Sequence, residues 1–289
     1  MQIGTEEQAY RFDFDRPLRA RGKNGVVWAG TDVHSGRKVI IKWHRNLLPE
    51  ADLPELPFIQ RKTGSITHEG RTFHIYDYFE GSDLQHIFED PDPNWKKSAF
   101  ILERWKQCLQ ILAGLHAAGF LHTDIKPSNW IYNSENGQMY LIDLSSAQAL
   151  PLQHTPQRAY IFSSPEQYLG IKELNGPWSD LFSLGICFYM LFSKRMPYQS
   201  GHAAVIEHMQ LAQPLQADDH IPAEIWEVLQ KTCLKPAFPR PPAQMPKAEV
   251  LLKLTENITL RYTDANTLLE CLQQITLSSK RSFWNLWRK

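Results

Sequence analysis

The chain has 289 residues, of which 43% are hydrophobic and 21% charged, enough to bury a substantial core in one large domain or two small ones. Lysine plus arginine and aspartate plus glutamate each number 31. That balance gives no electrostatic reason to expect a nucleic-acid partner or a general attraction to membrane surfaces.

From the N-terminus, no basic stretch precedes an apolar one, so no signal peptide is expected. Strands are predicted at residues 26–29, 38–43 and 72–79. These segments are β-branched or aromatic and are separated by turn residues such as His34-Ser35-Gly36. Residues 47–57 are proline-rich and acidic, with room for only a short helix. After Gly81 the pattern changes. Residues 100–118 place Ile101, Leu102, Trp105, Leu109, Leu112 and Leu115 at helical spacing and run into Gly119, a C-cap candidate. Further helices are expected at 180–192, 203–212, 222–234 and 263–275, with the proline-dense stretch 235–246 as an exposed loop. The most apolar run, 184–192, is too short to span a bilayer, and the cytosol (a cytoplasmic location) is the default expectation. Cys108, Cys187, Cys233 and Cys271 are scattered without a C-x-x-C pair, which predicts reduced core thiols. The coarse expectation is an α+β chain: a small strand-rich lobe, a larger helical lobe and a cleft between them.

The decisive segment is His122-Thr123-Asp124-Ile125-Lys126-Pro127-Ser128-Asn129, directly after the long helix; Asp143 follows in Tyr140-Leu141-Ile142-Asp143-Leu144-Ser145. Moving a γ-phosphoryl group needs a carboxylate to position the acceptor hydroxyl, oxygen ligands for Mg²⁺, and cations over the phosphates. Asp124, Asn129, Asp143 and Lys126 supply those groups. Here the sequence resembles the protein kinase family, whose catalytic loop reads H-R-D-x-x-x-x-N and whose magnesium motif reads D-F-G.

The resemblance implies the bilobal protein kinase fold, with residues 1–80 as a β-rich N-lobe, 81–278 as a helical C-lobe and 279–289 as a basic, aromatic tail. It implies Asp124 as catalytic base and Lys126 as the cation on the transferred phosphate. Asn129 and Asp143 become the Mg²⁺ ligands, with Mn²⁺ as an alternative metal, and ATP the nucleotide. Asp-Ile-Lys-Pro-Ser-Asn is similar to the serine/threonine branch, so the implied partner is a protein substrate with a Ser or Thr acceptor. Ala20-Arg21-Gly22-Lys23-Asn24-Gly25-Val26-Val27 resembles G-x-G-x-x-G-x-V with Ala20 at the first position. Gly22 and Gly25 would let backbone N–H groups approach the phosphates, and Val27 would face the nucleotide. Val39-Ile40-Ile41-Lys42 resembles V-A-I-K, which makes Lys42 the α/β-phosphate ligand. In the stretch resembling the hinge, Tyr76 would be the gatekeeper, backbone groups of Asp77 and Phe79 would take the adenine edge, and Asp83 the ribose. Ile131 is a further implied nucleotide contact. Ser164-Pro165-Glu166 resembles A-P-E. Asp180 would anchor the catalytic-loop backbone, and Arg261 would pair with Glu166, with Arg240 as its rival.

Three departures stand out. The H-R-D arginine is Thr123, which implies activity independent of activation-loop phosphorylation. D-F-G reads Asp143-Leu144-Ser145, where serine removes backbone freedom at a hinge. The glutamate that should pair with Lys42 has only Glu50 and Glu55 as candidates; if neither reaches, a regulatory protein partner would complete the site. Thr155, Tyr160 and Ser163 are candidate phosphorylation positions, and Phe283, Trp284 and Trp287 of the tail are expected to pack back on the helical lobe. Two other readings stand beside an active protein kinase: a nucleotide-binding pseudokinase or scaffold, and a small-molecule kinase sharing H-x-D-x-x-x-x-N.

Overall fold

The computed structural model describes residues 1–6, 8–21, 25–44, 51–156 and 161–277. Its first part is a seven-stranded antiparallel sheet: β1 (Gln2–Gly4), β2 (Ala9–Phe12), β3 (Arg19–Arg21), β4 (Gly25–Asp32), β5 (Lys38–His44), β6 (Lys62–His68) and β7 (Arg71–Asp77). The order is β1-β2-β4-β5-β7-β6, with β3 paired to β4. Side-chain alternation explains what this sheet does. In β5, Val39 and Ile41 enter a small core with Ile3, Tyr10, Phe12, Trp28, Phe73 and Ile75, whereas Ile40 and Lys42 face a cleft. The predicted strands at 26–29 and 38–43 fall within β4 and β5, and the one at 72–79 overlaps β7, which ends two residues earlier at Asp77. The sequence reading missed β6, an edge strand with few apolar residues. Its register with β7, from Lys62–Tyr76 to His68–Arg71, holds it rather than any periodicity of its own.

Between β5 and β6 there is no helix among the described residues: 51–56 run irregularly as a strap. Prolines 54 and 57 lack the N–H groups a helix would need there, so the short helix allowed for 47–57 does not form in its described part. The strap still packs, because Leu53, Leu56 and Ile59 join the larger core of the second half.

That half contains β8 (Ser82–Asp83), α1 (Leu84–Glu89), α2 (Ser98–Ala117), β9 (Phe120–Leu121), β10 (Trp130–Asn133), β11 (Gln138–Leu141) and β12 (Gln148–Ala149). The helices α3 (Pro165–Tyr168), α4 (Pro177–Ser193), α5 (Ala203–Ala212), α6 (Ala223–Thr232), α7 (Lys247–Leu260) and α8 (Ala265–Gln274) follow. Helix α2 buries Leu102, Trp105, Leu109 and Leu112 on one face. Trp105 stacks on Phe188 of α4 with centroids 5.2 Å apart and planes at 9°. Gly119, at φ +84°, ends α2 and turns the chain into β9. Helix α4 starts with Pro177 at its first turn and is buried almost throughout.

The predicted helices correspond to α2, α4, α5, α6 and α8. Helix α7 was missed because it follows the proline-dense stretch. Its buried positions, Val250, Leu254, Asn257 and Ile258, form a narrow stripe that includes a polar residue. The stretch 235–246 itself is not wholly an exposed loop. Lys235 and Met245 are both buried, pinning its two ends. All four cysteines are free; burial raises the thiol pKa of Cys108 and Cys187, and that of Cys233 to about 12. No described helix is long and apolar enough to cross a membrane.

Candidate active site

The segment from His122 to Asn129 leaves β9 and lies across the top of the helical core. Thr123 sits at φ +63°, unusual for a β-branched residue, and costs about 1–3 kcal/mol unless its surroundings fix it. They do. Its N–H donates to Asp180 Oδ1 at 3.0 Å, its Oγ1 donates to the Ser146 carbonyl at 2.6 Å, and its own carbonyl accepts from the Gln167 amide. Asp180 also accepts from the His122 N–H at 2.8 Å and from His116 Nε2 at 3.0 Å. Burial pushes the Asp180 pKa up, but the hydrogen bonds from His116 and from the His122 N–H outweigh it and hold the carboxyl below its ordinary range. The Asp124 N–H donates to His122 Nδ1 at 3.2 Å, so the ring proton sits on Nε2, which donates to the Ile142 carbonyl at 3.2 Å.

These bonds aim the reactive groups. Asp124 Oδ2 accepts from Lys126 Nζ at 2.5 Å, and the Asp124 carbonyl accepts from Asn129 Nδ2 at 2.8 Å. The Ile142 N–H donates to the Asn129 carbonyl at 2.9 Å, which brings Asn129 beside the Asp143 strand end. Asp143 adopts a left-handed backbone, φ 64° and ψ 60°. Its Oδ1 accepts from Lys42 Nζ at 2.9 Å and from Ser145 Oγ at 2.9 Å. Ser145 lies in a 3₁₀ turn and is not among the positive-φ residues, so serine is accommodated there and its hydroxyl orients Asp143 instead of straining the chain. Asn129 Oδ1 is buried without a hydrogen-bond partner among the described residues. A buried carbonyl oxygen left open beside a carboxylate is what a hard cation requires, so these residues fit a Mg²⁺ ion.

A cleft of about 280 Å³ lies over this group, lined among others by Val27, Lys42, Phe79, Asp83, Ile131 and Asp143. Strand pairing sets Ile131 opposite Asp83, and Asp83 also caps α1 by accepting the His86 N–H at 2.9 Å. The Phe79 N–H makes no hydrogen bond to another described residue, leaving a donor on the cleft wall.

A family model for the protein kinase domain matches residues 21–263. The chain belongs to the protein kinase family. Curated relatives include the serine/threonine-protein kinase PknA of Mycobacterium tuberculosis, 27% identical over 249 residues, covering 75% of this chain and 55% of that protein. PkaA of Streptomyces coelicolor is 25% identical over 267 residues, covering 81% of this chain and 48% of that protein. The chain therefore spans about half the length of the curated relatives it matches. Among solved structures, the kinase PK-1 of Cydia pomonella granulovirus superposes with a TM-score of 0.67 at 13% identity, covering 90% of this chain and 92% of that one. That likeness concerns the protein kinase fold alone.

Within this kinase fold several positions differ from the sequence reading. Glu55 does not approach Lys42. It is exposed and pairs with Arg61 at 2.6 Å, while Glu50 lies outside the described residues. Among the described residues the carboxylate on Lys42 is Asp143, and the ammonium also lies 4.6 Å from the centre of the Tyr76 ring. Tyr76 also borders a second cavity of about 470 Å³, shared with the strap and Leu144. Both backbone groups of Asp77 already have partners within the chain: its N–H donates to the Arg61 carbonyl at 3.0 Å and its carbonyl accepts from Gln60 Nε2 at 2.9 Å. Ala20 pairs with Val26 in the β3–β4 hairpin, whose tip, with Gly22, lies outside the described residues. Gly25 serves the sheet, since a Cβ there would sit 2.6 Å from His44 Nδ1.

Glu166 and Arg261 form a fully buried pair at 2.8 Å, with Ser179 Oγ donating to the other carboxylate oxygen at 2.8 Å. Arg240 instead reaches Glu249 at 4.0 Å on the surface. Ser163 is fully buried and its carbonyl accepts from Gln210, so it is not presented as a phosphorylation position; Tyr160 and the tail lie outside the described residues. The sequence reading missed Leu18, Ile40, Tyr78 and Ile142 on the cleft wall, and Gln60. Ile40 was within reach: two residues before Lys42 on one strand, it must share that face. Gln60 carried no signal.

Proposed function

We propose that the protein transfers the γ-phosphoryl group of ATP to serine or threonine hydroxyls of protein substrates. The observation that carries this reading is Lys42 bonded to Asp143 on the wall of one cleft, with Asp124, Lys126 and Asn129 hydrogen-bonded to one another and Asn129 joined through its carbonyl to the Ile142 N–H beside Asp143. Asp124, as catalytic base, accepts the hydroxyl proton as the acceptor oxygen attacks the γ-phosphorus and the bond to the β-phosphate oxygen breaks. Lys126, now on Asp124, is placed to spread its charge over the transferring group, and Lys42 binds the α- and β-phosphates. Val27 and Ile131 sandwich the base, Phe79 supplies a backbone donor to its edge, and Asp83 takes the ribose. Asn129 and Asp143 hold Mg²⁺, or Mn²⁺ in its place, which when bound neutralises phosphate charge. Residues 1–80 and 81–278 act as the two lobes around this cleft.

Thr123 supports activity that needs no loop phosphorylation. Where an arginine would await a phosphate, the Thr123 hydroxyl already ties the catalytic loop to Ser146, at the start of the following segment. Phosphatase treatment is expected to leave turnover within about twofold.

The test is Asp124→Asn, expected to lower transfer to a generic acceptor by about 10²–10⁴-fold while ATP·Mg²⁺ still raises the melting temperature. Undiminished transfer would end the reading. One observation favours a second reading, nucleotide binding without turnover: among the described residues no glutamate reaches Lys42. Wild-type protein that is stabilised by nucleotide but passes no phosphate would select it, with a regulatory protein partner then needed to complete the site.

A further inference from the structure

We propose that Gln60 is a positioning residue that locks Asp143 in place and couples it to the carbonyl of Asp77 at the end of β7. The inference rests on Asp143 being a metal ligand. At Asp143 the chain leaves β11 and turns left-handed, so its N–H points away from any strand partner; it donates to Gln60 Oε1 at 3.2 Å. The other end of the same amide, Nε2, donates to the Asp77 carbonyl at 2.9 Å. Both neighbours are backbone groups of fixed and opposite polarity. Only a neutral group with one acceptor and one donor at this reach satisfies both: a carboxylate offers two acceptors, an ammonium only donors, and an aliphatic chain neither.

The support of Gln60 is itself rigid. The Gln60 N–H donates to the Leu141 carbonyl at 2.8 Å and the Leu141 N–H donates to the Phe58 carbonyl at 2.9 Å, so the strap is stitched to β11 two residues before Asp143. Gln60 is 7% exposed and lies on the wall of both cavities, between the base end and the metal end of the cleft. Loss of its amide would leave the buried Asp143 N–H and the half-buried Asp77 carbonyl without this partner and free Asp143 to leave the geometry that Lys42 and Ser145 share.

The experiment compares Gln60→Met, close in volume but unable to bridge, with wild type. The apparent activation constant for Mg²⁺ is expected to rise about tenfold and amide exchange at Asp143 to accelerate. A residue that only stabilised the fold would lower the amount of active enzyme and leave the Mg²⁺ constant alone. A Gln60→Met enzyme with the wild-type Mg²⁺ constant overturns the proposal. Should that variant fail to fold, Gln60→Glu carries the test, because it sets an oxygen against the Asp77 carbonyl. An ATP KM raised about tenfold supports the bridge and an unchanged KM refutes it. Asp143→Asn in the same assay separates the two layers. If it turns over like wild type, the reading of the site fails; if it is inactive while Gln60→Met behaves as wild type, only the role of Gln60 fails.

Discussion

The floor and the roof of the cleft are held by different physics. Under the floor, Asp180 gathers three donors and Glu166 pairs with Arg261, all sunk in the helical core, so the catalytic loop rests on ions that cannot move without exposing a buried charge. The roof has no such foundation. Lys42 takes its carboxylate from Asp143 across the cleft, and a neutral amide, Gln60, joins that aspartate to the Asp77 carbonyl at the end of β7. The floor supports itself, whereas the roof is fastened to the floor. On the proposed function, rigidity is built where proton and phosphoryl positions matter most, and the nucleotide end is tied down through fewer, replaceable bonds.

The largest expected effect breaks the floor. Arg261→Met strands the Glu166 carboxylate in the core and should cost about 3–5 kcal/mol of stability, read by chemical denaturation. If the cost is below about 1 kcal/mol, the floor is not held by its ions. A smaller effect concerns a buried lysine away from the cleft. Lys235 donates to the Met209 carbonyl at 2.7 Å over the Tyr198 ring, yet burial dominates and holds its pKa at about 6. Between about 6 and the ordinary value of 10.5 the unfolded chain binds a proton that the folded chain does not, so stability rises with pH in that window. Lys235→Met removes this slope. It should be more stable than wild type near neutral pH, and the gap should narrow toward alkaline pH; a constant gap would mean the lysine is charged in the fold. The smallest effect sharpens the roof. Glu55→Ala removes only an exposed partner of Arg61 and should leave turnover within about twofold and stability within about 1 kcal/mol. A large loss of turnover would return Glu55 to Lys42.

The floor was the legible part of the sequence. Phosphoryl transfer needs a carboxylate, a lysine, an amide and a second carboxylate on one continuous stretch of backbone, so His122 through Asp143 can be read as linear spacing. The strands around Val27, Lys42 and Tyr76 were legible through alternation, and α2 through its apolar stripe. What stayed hidden depends on tertiary partners. Nothing at Gln60 in the sequence announces a bridge between Asp143 and Asp77, because both partners lie far along the chain and use backbone atoms. Strand β6 is held by pairing and not by composition. The partner of Lys42 was sought on a short helix, and among the described residues of that segment, 51–56, the chain is irregular.

The central claim is that this single chain assembles a working transfer site with Asp143, steadied by Gln60, as the carboxylate on Lys42. The most direct measurement is the initial rate of label transfer from γ-labelled ATP·Mg²⁺ to a generic serine/threonine acceptor by the purified protein alone, over a dilution series. The account predicts a rate per molecule that does not change with protein concentration. A chain that binds the nucleotide but passes no label at any dilution until a second protein is added would contradict it.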